Sequence, residues 1–231
     1  MDRSCNVLRA GLTDYDDCLR LQHMLLARRQ EGRVRDTLII TEHRPVITFG
    51  RGFREELPDI PLPAYAVERG GSATYHGPGQ FVAYPVLNII ENDLTVRMFV
   101  SKVLESAVLS LADYGIRSEY HLENTGVWCA DRKIASLGMA VKGWVSFHGI
   151  AINLTNDLTP FRLIQPCGMN PLIMTNAERI SGRCIPMEEF SEVFVGHFMR
   201  LFNMKPSYIT AEEIGADELL NAPRPVIIAK H

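Results

Sequence analysis

Three stretches of the chain carry residue types that can do chemistry. Gln165-Pro-Cys-Gly-Met169 sets a cysteine between proline and glycine. Pro166 pushes Gln165 toward an extended backbone, and Gly168 leaves the flank of the sulfur sterically open. A cysteine so placed suits a nucleophile, provided that a neighbouring cation or base makes its thiolate. An incidental loop cysteine is the alternative. Lys133 starts an otherwise apolar run, Lys133-Ile-Ala-Ser-Leu-Gly-Met-Ala-Val141. Lysine there is more often a solvated strand end. If it is buried, its ammonium becomes costly and the neutral amine can accept a proton, which makes Lys133 the candidate activator of Cys167. On a regular strand Lys133 shares a face with Ala135 and Leu137, and Ser136 with Gly138 lies on the other. For both sets to serve one site, Ser136–Gly138 must act through backbone groups, or a bulge must intervene.

The third stretch is Arg69-Gly-Gly-Ser-Ala-Thr-Tyr-His-Gly-Pro-Gly-Gln80, read as a polar loop feeding an apolar strand. It lacks the G-x-x-x-x-G-K-[ST] pattern of a phosphate loop, and a strand follows it rather than a helix. The expectation is a loop that places Arg69, Thr74 and His76 around a small acyl or carbonyl group; a glycine-rich hairpin connection is the plainer alternative. Downstream, His148-Gly-Ile-Ala-Ile-Asn153 reads as a strand on which Gly149 and Ala151 share a face. That leaves room for an apolar, chain-like ligand, or for close packing against a helix. His43, His121 and His197 read as surface or capping residues.

The elements that must position these residues follow from periodicity. Helices are expected over 14–31, 95–114 and from Pro186 onward, with a short acidic one near 210–220. Strands are expected over 36–41, 46–49, 65–68, 81–90, 117–121, 126–130, 133–141 and 144–154, with a hairpin turn at Lys142-Gly143. Strands and helices mix without regular βαβ alternation. This favours an α+β fold, a mixed sheet flanked by helices, over a doubly wound parallel one. No repeat or linker divides the 231 residues, so they read as one domain, with 186–231 as a helical C-terminal appendage.

Composition narrows the class further. Apolar residues make up 46% and charged residues 22% of the chain, as in ordinary globular proteins. A formal net charge of −3 argues against a general nucleic-acid binder. No apolar stretch is long enough to span a bilayer, and the start lacks the plan of a signal peptide. The expected setting is the cytoplasm, without a membrane. Cys5, Cys18, Cys129, Cys167 and Cys184 form no C-x-x-C pair. Neither a zinc site nor a disulfide framework is expected.

Taken together, three segments resemble one family. Arg69 to Tyr84 is similar to the signature of the lipoyl(octanoyl) transferases; Lys133-Ile-Ala-Ser-Leu-Gly138 and Pro166-Cys-Gly168 match that family's other two hallmarks in order. Glu42 to Arg51 resembles its early strand pair. The likeness covers roughly residues 36–182. It implies the fold shared by biotin- and lipoate-protein ligases. It implies transfer of an octanoyl group from octanoyl-acyl carrier protein to a lysine of lipoyl domains, those of 2-oxoacid dehydrogenase complexes and the glycine cleavage H protein. By position, Cys167 is the acyl-accepting nucleophile and Lys133 its partner. Arg69, Gly70, Gly71, Ser72, Ala73, Thr74, Tyr75 and His76 then line the acyl site with Ser136, Leu137, Gly138, Gly149, Ile150 and Ala151. No cofactor and no metal are implied. Backbone N–H groups near Gly168, with His76, are expected to hold the oxyanion. Arg51, Arg54, Arg69, Arg132 and Lys142 are expected to form a docking patch for acidic carrier domains.

Two other readings stand beside this one. The first is an ATP-dependent lipoate- or biotin-protein ligase. Gly50-Arg-Gly-Phe-Arg54 resembles the adenylate loop of biotin-protein ligases but lacks its further glycine and arginine, and reads better as a polar strand end. The second is a non-catalytic acyl-protein binding module, against which Cys167 and Lys133 together count.

Overall fold

The computed structural model describes residues 3–54, 60–164 and 173–221. A strand absent from the sequence reading opens the chain. β1 (Ser4–Thr13) runs parallel to β2 (Thr37–His43), and on its other side parallel to β11 (Lys205–Ile209). Both β1 and β11 escape the pattern because polar residues interrupt them. Asn6 and Arg9 break the apolar run of β1, and Lys205, Pro206 and Ser207 open β11. Proline is tolerated there because β11 is an edge strand.

The main sheet continues through β6 (Gln80–Val86), β10 (Val145–Asn153), β9 (Arg132–Lys142), β8 (Gly126–Cys129) and β7 (Glu119–His121). Its strand order is β11-β1-β2-β6-β10-β9-β8-β7. The pairs from β2 to β7 are antiparallel, so the sheet is mixed. A second sheet holds β3 (Val46–Phe49) between β4 (Ala64–Ala66) and β5 (Ala73–His76).

Both faces of the main sheet are buried, and β2 shows how. Leu38 and Ile40 join one core cluster while Ile39 joins the other, as period 2 requires. On the first face lie α2 (Val96–Asp113) and α4 (Met187–Phe202). Phe99, Val103 and Leu111 pack there with Phe190, Phe194 and Phe198, and the Phe194 ring lies 4.8 Å from that of Phe81. The other face is covered by α1 (Tyr15–Gln30), through Cys18, Leu21 and Leu25. Two further α-helices, α3 (Ala177–Ser181) and α5 (Asp217–Asn221), are short. Thr95 caps α2 by accepting from the Met98 amide, which satisfies one orphan donor of its first turn. Pro186 is the extended N-cap of α4 rather than its first helical residue.

The three-stranded sheet sits on the α1 side. Tyr15 of α1 packs against Val46 and Val67, with Tyr65 beside it. The hairpin turn between β9 and β10 lies one residue later than expected, at Gly143 and Trp144, both with positive φ. That is the signature of a turn whose twist suits antiparallel strands. Cys5, Cys18 and Cys129 are buried and Cys184 is exposed, all four as free thiols.

Candidate active site

A bulge decides which residues of β9 share a face. In the β8–β9 ladder Gly126 pairs with Ser136 and Val127 with Ala135, but Trp128 pairs with Lys133. Ile134 is the extra residue. It shifts the strand parity by one, so Lys133 shares a face with Ser136 and Gly138. Lys133 is 2% exposed despite starting the apolar part of its strand. Its Nζ lies 5.5 Å from the centre of the Trp128 ring. Its aliphatic stem runs over Gly126: a Cβ added there would lie 2.5 Å from Lys133 Cε and 2.4 Å from the Ala135 carbonyl oxygen. Only a glycine leaves that path open, and no motif in the sequence pointed to Gly126.

The shared face opens onto a cavity between the two sheets. Lys133, Ser136, Leu137 and Gly138 line it from β9, and Gly149, Ile150 and Ala151 from β10. Arg69, Gly70, Gly71, Ala73, Thr74 and His76 close it from the small-sheet side. Ser72 and Tyr75 do not line it. Ser72 faces a neighbouring cleft that also reaches Lys133, and the Tyr75 ring meets Phe161 edge-on at 5.5 Å. Tyr75 differs because 73–76 is strand, not loop, so its side chain points away from those of Thr74 and His76. Tyr15, Val82, Tyr84, Thr125 and His148 also line the cavity and were not singled out from sequence.

Arg69 belongs to the interior rather than to any docking surface. It is 6% exposed and donates from Nε and Nη2 to Thr48, at 3.1 Å to the hydroxyl and 2.6 Å to the carbonyl. The guanidinium thereby ties the loop before β5 to β3. The same loop is held by Gly50, Arg51 and Gly52, whose amides donate to the carbonyls of Ser72, Arg69 and Gly71. A Cβ on Gly50 would come within 2.5 Å of the Gly71 carbonyl oxygen, so the Gly50-Arg51-Gly52 pattern serves close backbone approach.

Gly149 serves a different purpose from the one its type suggested. Its absent Cβ points at the Ala83 carbonyl oxygen, 2.0 Å away, and not into open space. Glycine is needed there for strand packing. The preceding residue, His148, has φ of +56°, 1% exposure and no hydrogen-bond partner for either ring nitrogen. Glu68 approaches its Nε2 at 3.6 Å. That is too long for a hydrogen bond.

His43, read as a surface residue, is fully buried. Its Nε2 meets the Tyr84 hydroxyl at 2.7 Å and its Nδ1 the Thr13 hydroxyl at 3.1 Å. A histidine at the end of a strand reads as exposed unless the neighbouring strand is known, and β1 was not. His121 is exposed, and His197 pairs with Asp113 on the surface. Burial pushes three histidines down: His43 well below the ordinary value, His76 to about 4, with Arg69 adding to the effect, and His148 to about 3. Their folded pKa lies below the unfolded value near 6.5. Between those values the unfolded chain binds more protons, so stability is full above about pH 6.5 and falls as pH drops toward 4. Each histidine contributes up to about 1.4 kcal/mol per pH unit in that window. Urea midpoints at pH 7 and pH 5 check this; equal midpoints would contradict it.

Cys167 and its neighbours 165–172 lie outside the described residues. The ends that flank them are fixed in one apolar cluster, through Ile164 on one side and Met174 on the other. Met174 bridges to Lys133, and the Thr175 amide donates to the Lys133 carbonyl at 3.0 Å. Among the described residues no cluster of three or more His, Cys, Asp or Glu is placed to hold a metal ion, and no helix is long and apolar enough to cross a membrane.

Residues 14–199 match the family of lipoyl protein ligase A/B catalytic domains. The chain belongs to this family. Within it, the chain is 42% identical to an octanoyltransferase of Syntrophobacter fumaroxidans over 230 residues, 96% of this chain and 100% of that one. It is 38% identical to an octanoyltransferase of Alkaliphilus metalliredigens, over 86% of this chain and 95% of the relative. By this kinship it is an acyltransferase. The family fold extends to proteins far apart in sequence. A lipoate-protein ligase A solved with ATP superposes with a TM-score of 0.70 at 16% identity, over 96% of this chain and 95% of that one. A biotin protein ligase from Aquifex aeolicus reaches 0.51 at 12% identity, over 87% and 69%. The expected mixed sheet flanked by helices, of the biotin/lipoate ligase kind, is the fold observed.

Proposed function

We propose that residues 1–231 form one catalytic unit that moves an octanoyl group from octanoyl-acyl carrier protein to the target lysine of lipoyl domains, by way of a thioester on Cys167. The observation that supports this reading most is the buried Lys133. The Ile134 bulge turns it into the cavity, and its own carbonyl is tied to the chain segment that follows Cys167.

In the first half of the reaction, Lys133 takes the thiol proton of Cys167. The thiolate attacks the thioester carbonyl carbon of the donor, a new C–S bond forms, and the carrier leaves as its thiol after regaining a proton from Lys133. In the second half, the neutral lysine amine of the lipoyl domain attacks the acyl-enzyme carbonyl. A C–N bond forms, the C–S bond to Cys167 breaks, and the amine proton passes to Lys133. Thioester exchange is nearly neutral in energy and amide formation is downhill, so the sequence needs no ATP. The acyl chain would lie against Ala151 and Val82, whose side chains share one face of the sheet, with each buried CH₂ worth about 0.8 kcal/mol. The acceptors would be lipoyl domains of 2-oxoacid dehydrogenase complexes and the glycine cleavage H protein, and the setting the cytoplasm.

Incubation with octanoyl-acyl carrier protein, without ATP or magnesium, should add one octanoyl group that hydroxylamine releases. Cys167→Ala should take up none. A label retained in that variant, or a strict need for ATP, would overturn the proposal.

A further inference from the structure

The hydrogen bonds around His76 determine which of its ring nitrogens carries the proton. Gln80 Oε1 lies 2.8 Å from His76 Nδ1. The amide of Gln80 cannot be turned around, because its Nε2 donates to the Tyr75 carbonyl at 3.2 Å and to Asn153 Oδ1 at 2.8 Å. Asn153 is fixed in the same way: its Nδ2 donates to the Thr175 carbonyl at 2.9 Å, and its Oδ1 also accepts from Asn156. Two backbone carbonyls, which can only accept, thus anchor both amides. Gln80 Oε1 is left as an acceptor, and His76 Nδ1 must be the donor. Gln80 and Asn153 are each 1% exposed, so water does not compete within this chain of bonds.

We infer that Gln80 is a positioning residue that holds His76 as the Nδ1–H tautomer, so that Nε2 offers an unprotonated lone pair to the cavity and accepts a hydrogen bond from the attacking amine. Nε2 is the nitrogen left over in a ring that lines the cavity. The His76 ring stacks on Tyr15 at 5.9 Å and meets His43 at 5.6 Å, which fixes its plane. This inference rests on the acyl-enzyme reading above. On that reading the thioester and the acyl chain carry no N–H or O–H at the reacting centre, and the incoming amine does. A lone pair aimed there helps the second half-reaction and cannot donate to an oxyanion. That reverses the role expected for His76 from sequence. The neutral ring, with Arg69 nearby and burial holding its pKa to about 4, orients the amine rather than taking its proton.

The imidazole ¹⁵N shifts of the wild-type protein, assigned by their loss in His76→Phe, test the tautomer directly. Nδ1 of His76 should read as protonated and Nε2 as bare near pH 7. Rates of the two half-reactions test the role, with an octanoyl thioester as donor and an unmodified lipoyl domain as amine. His76→Phe should slow the amine step about tenfold more than acyl-enzyme formation, the factor of one lost hydrogen bond. Gln80→Glu still accepts from Nδ1–H but gives up the two bonds that Gln80 Nε2 donates, so a melting curve must show that it folds; its charge favours a doubly protonated ring. It should show both nitrogens protonated and the same selective loss. A protonated Nε2 in the wild type, or equal slowing of both halves, would overturn the inference. A wild type that forms no acyl-enzyme would instead defeat the Cys167 reading, and the ¹⁵N result would still judge the tautomer.

Discussion

Lys133→Met is expected to lower octanoyl transfer by about 10²–10⁴-fold, the usual worth of a positioned proton-transfer group. Methionine keeps an unbranched stem of similar length over Gly126, so the wall of the cavity is retained and only the amine is lost. Both half-reactions should suffer, because on the proposed mechanism the same amine serves both proton transfers. This separates Lys133 from His76, whose loss should weigh on the amine step alone. Single-turnover rates for each half, with a melting curve to show that the variant folds, make the measurement. A Lys133→Met enzyme that transfers within threefold of the wild type would remove Lys133 from the chemistry.

Gly149→Ala is expected to destabilise the protein by about 3 kcal/mol, the upper end for overpacking a well-filled interior. The added methyl would meet the Ala83 carbonyl oxygen at 2.0 Å and Pro85 Cδ at 3.0 Å. These atoms belong to β6, whose register with β10 begins at Ala83 opposite Ile150. They are backbone and ring atoms that cannot swing aside. For a chain of this size such a loss lowers Tm by roughly 6–12 °C. Thermal unfolding followed by circular dichroism should show the drop. If the variant melts with the wild type, the close approach of β6 is not a constraint and Gly149 serves ligand room instead.

Much of the site could be read from residue types. Most of the run from Arg69 to His76, the lysine at the start of an apolar strand and the Gly-Ile-Ala run at 149–151 meet around one cavity, although they lie up to 82 positions apart in the chain. Type and order alone cannot say which side chains face that cavity. A loop has no periodicity, whereas β5 imposes one, which turns Tyr75 away from the side of Thr74 and His76. Arg69 was expected to offer charge to a partner, yet Thr48 and the backbone take its donors. His43 looked exposed because the strand that buries it, β1, carries polar residues that mask its period.

What the sequence determined by itself is local: the helices α1, α2 and α4, most strands, the α+β class and the resemblance that named the family. The elements depend on residues near one another in the chain, through apolar spacing, caps and turn chemistry, and the resemblance on three short motifs matched in order. Tertiary structure decided what depends on partners far apart. The strand β11 forms by pairing with β1 some two hundred residues earlier. The Ile134 bulge exists only in the register of β9 against β8, and that register puts Lys133 on the face of Ser136. The His76 tautomer is set by a chain of amides running from Tyr75 to Thr175. Pairing register and proton placement are properties of contacts between segments, so a reading of residue types in order could name the participants but not their orientation.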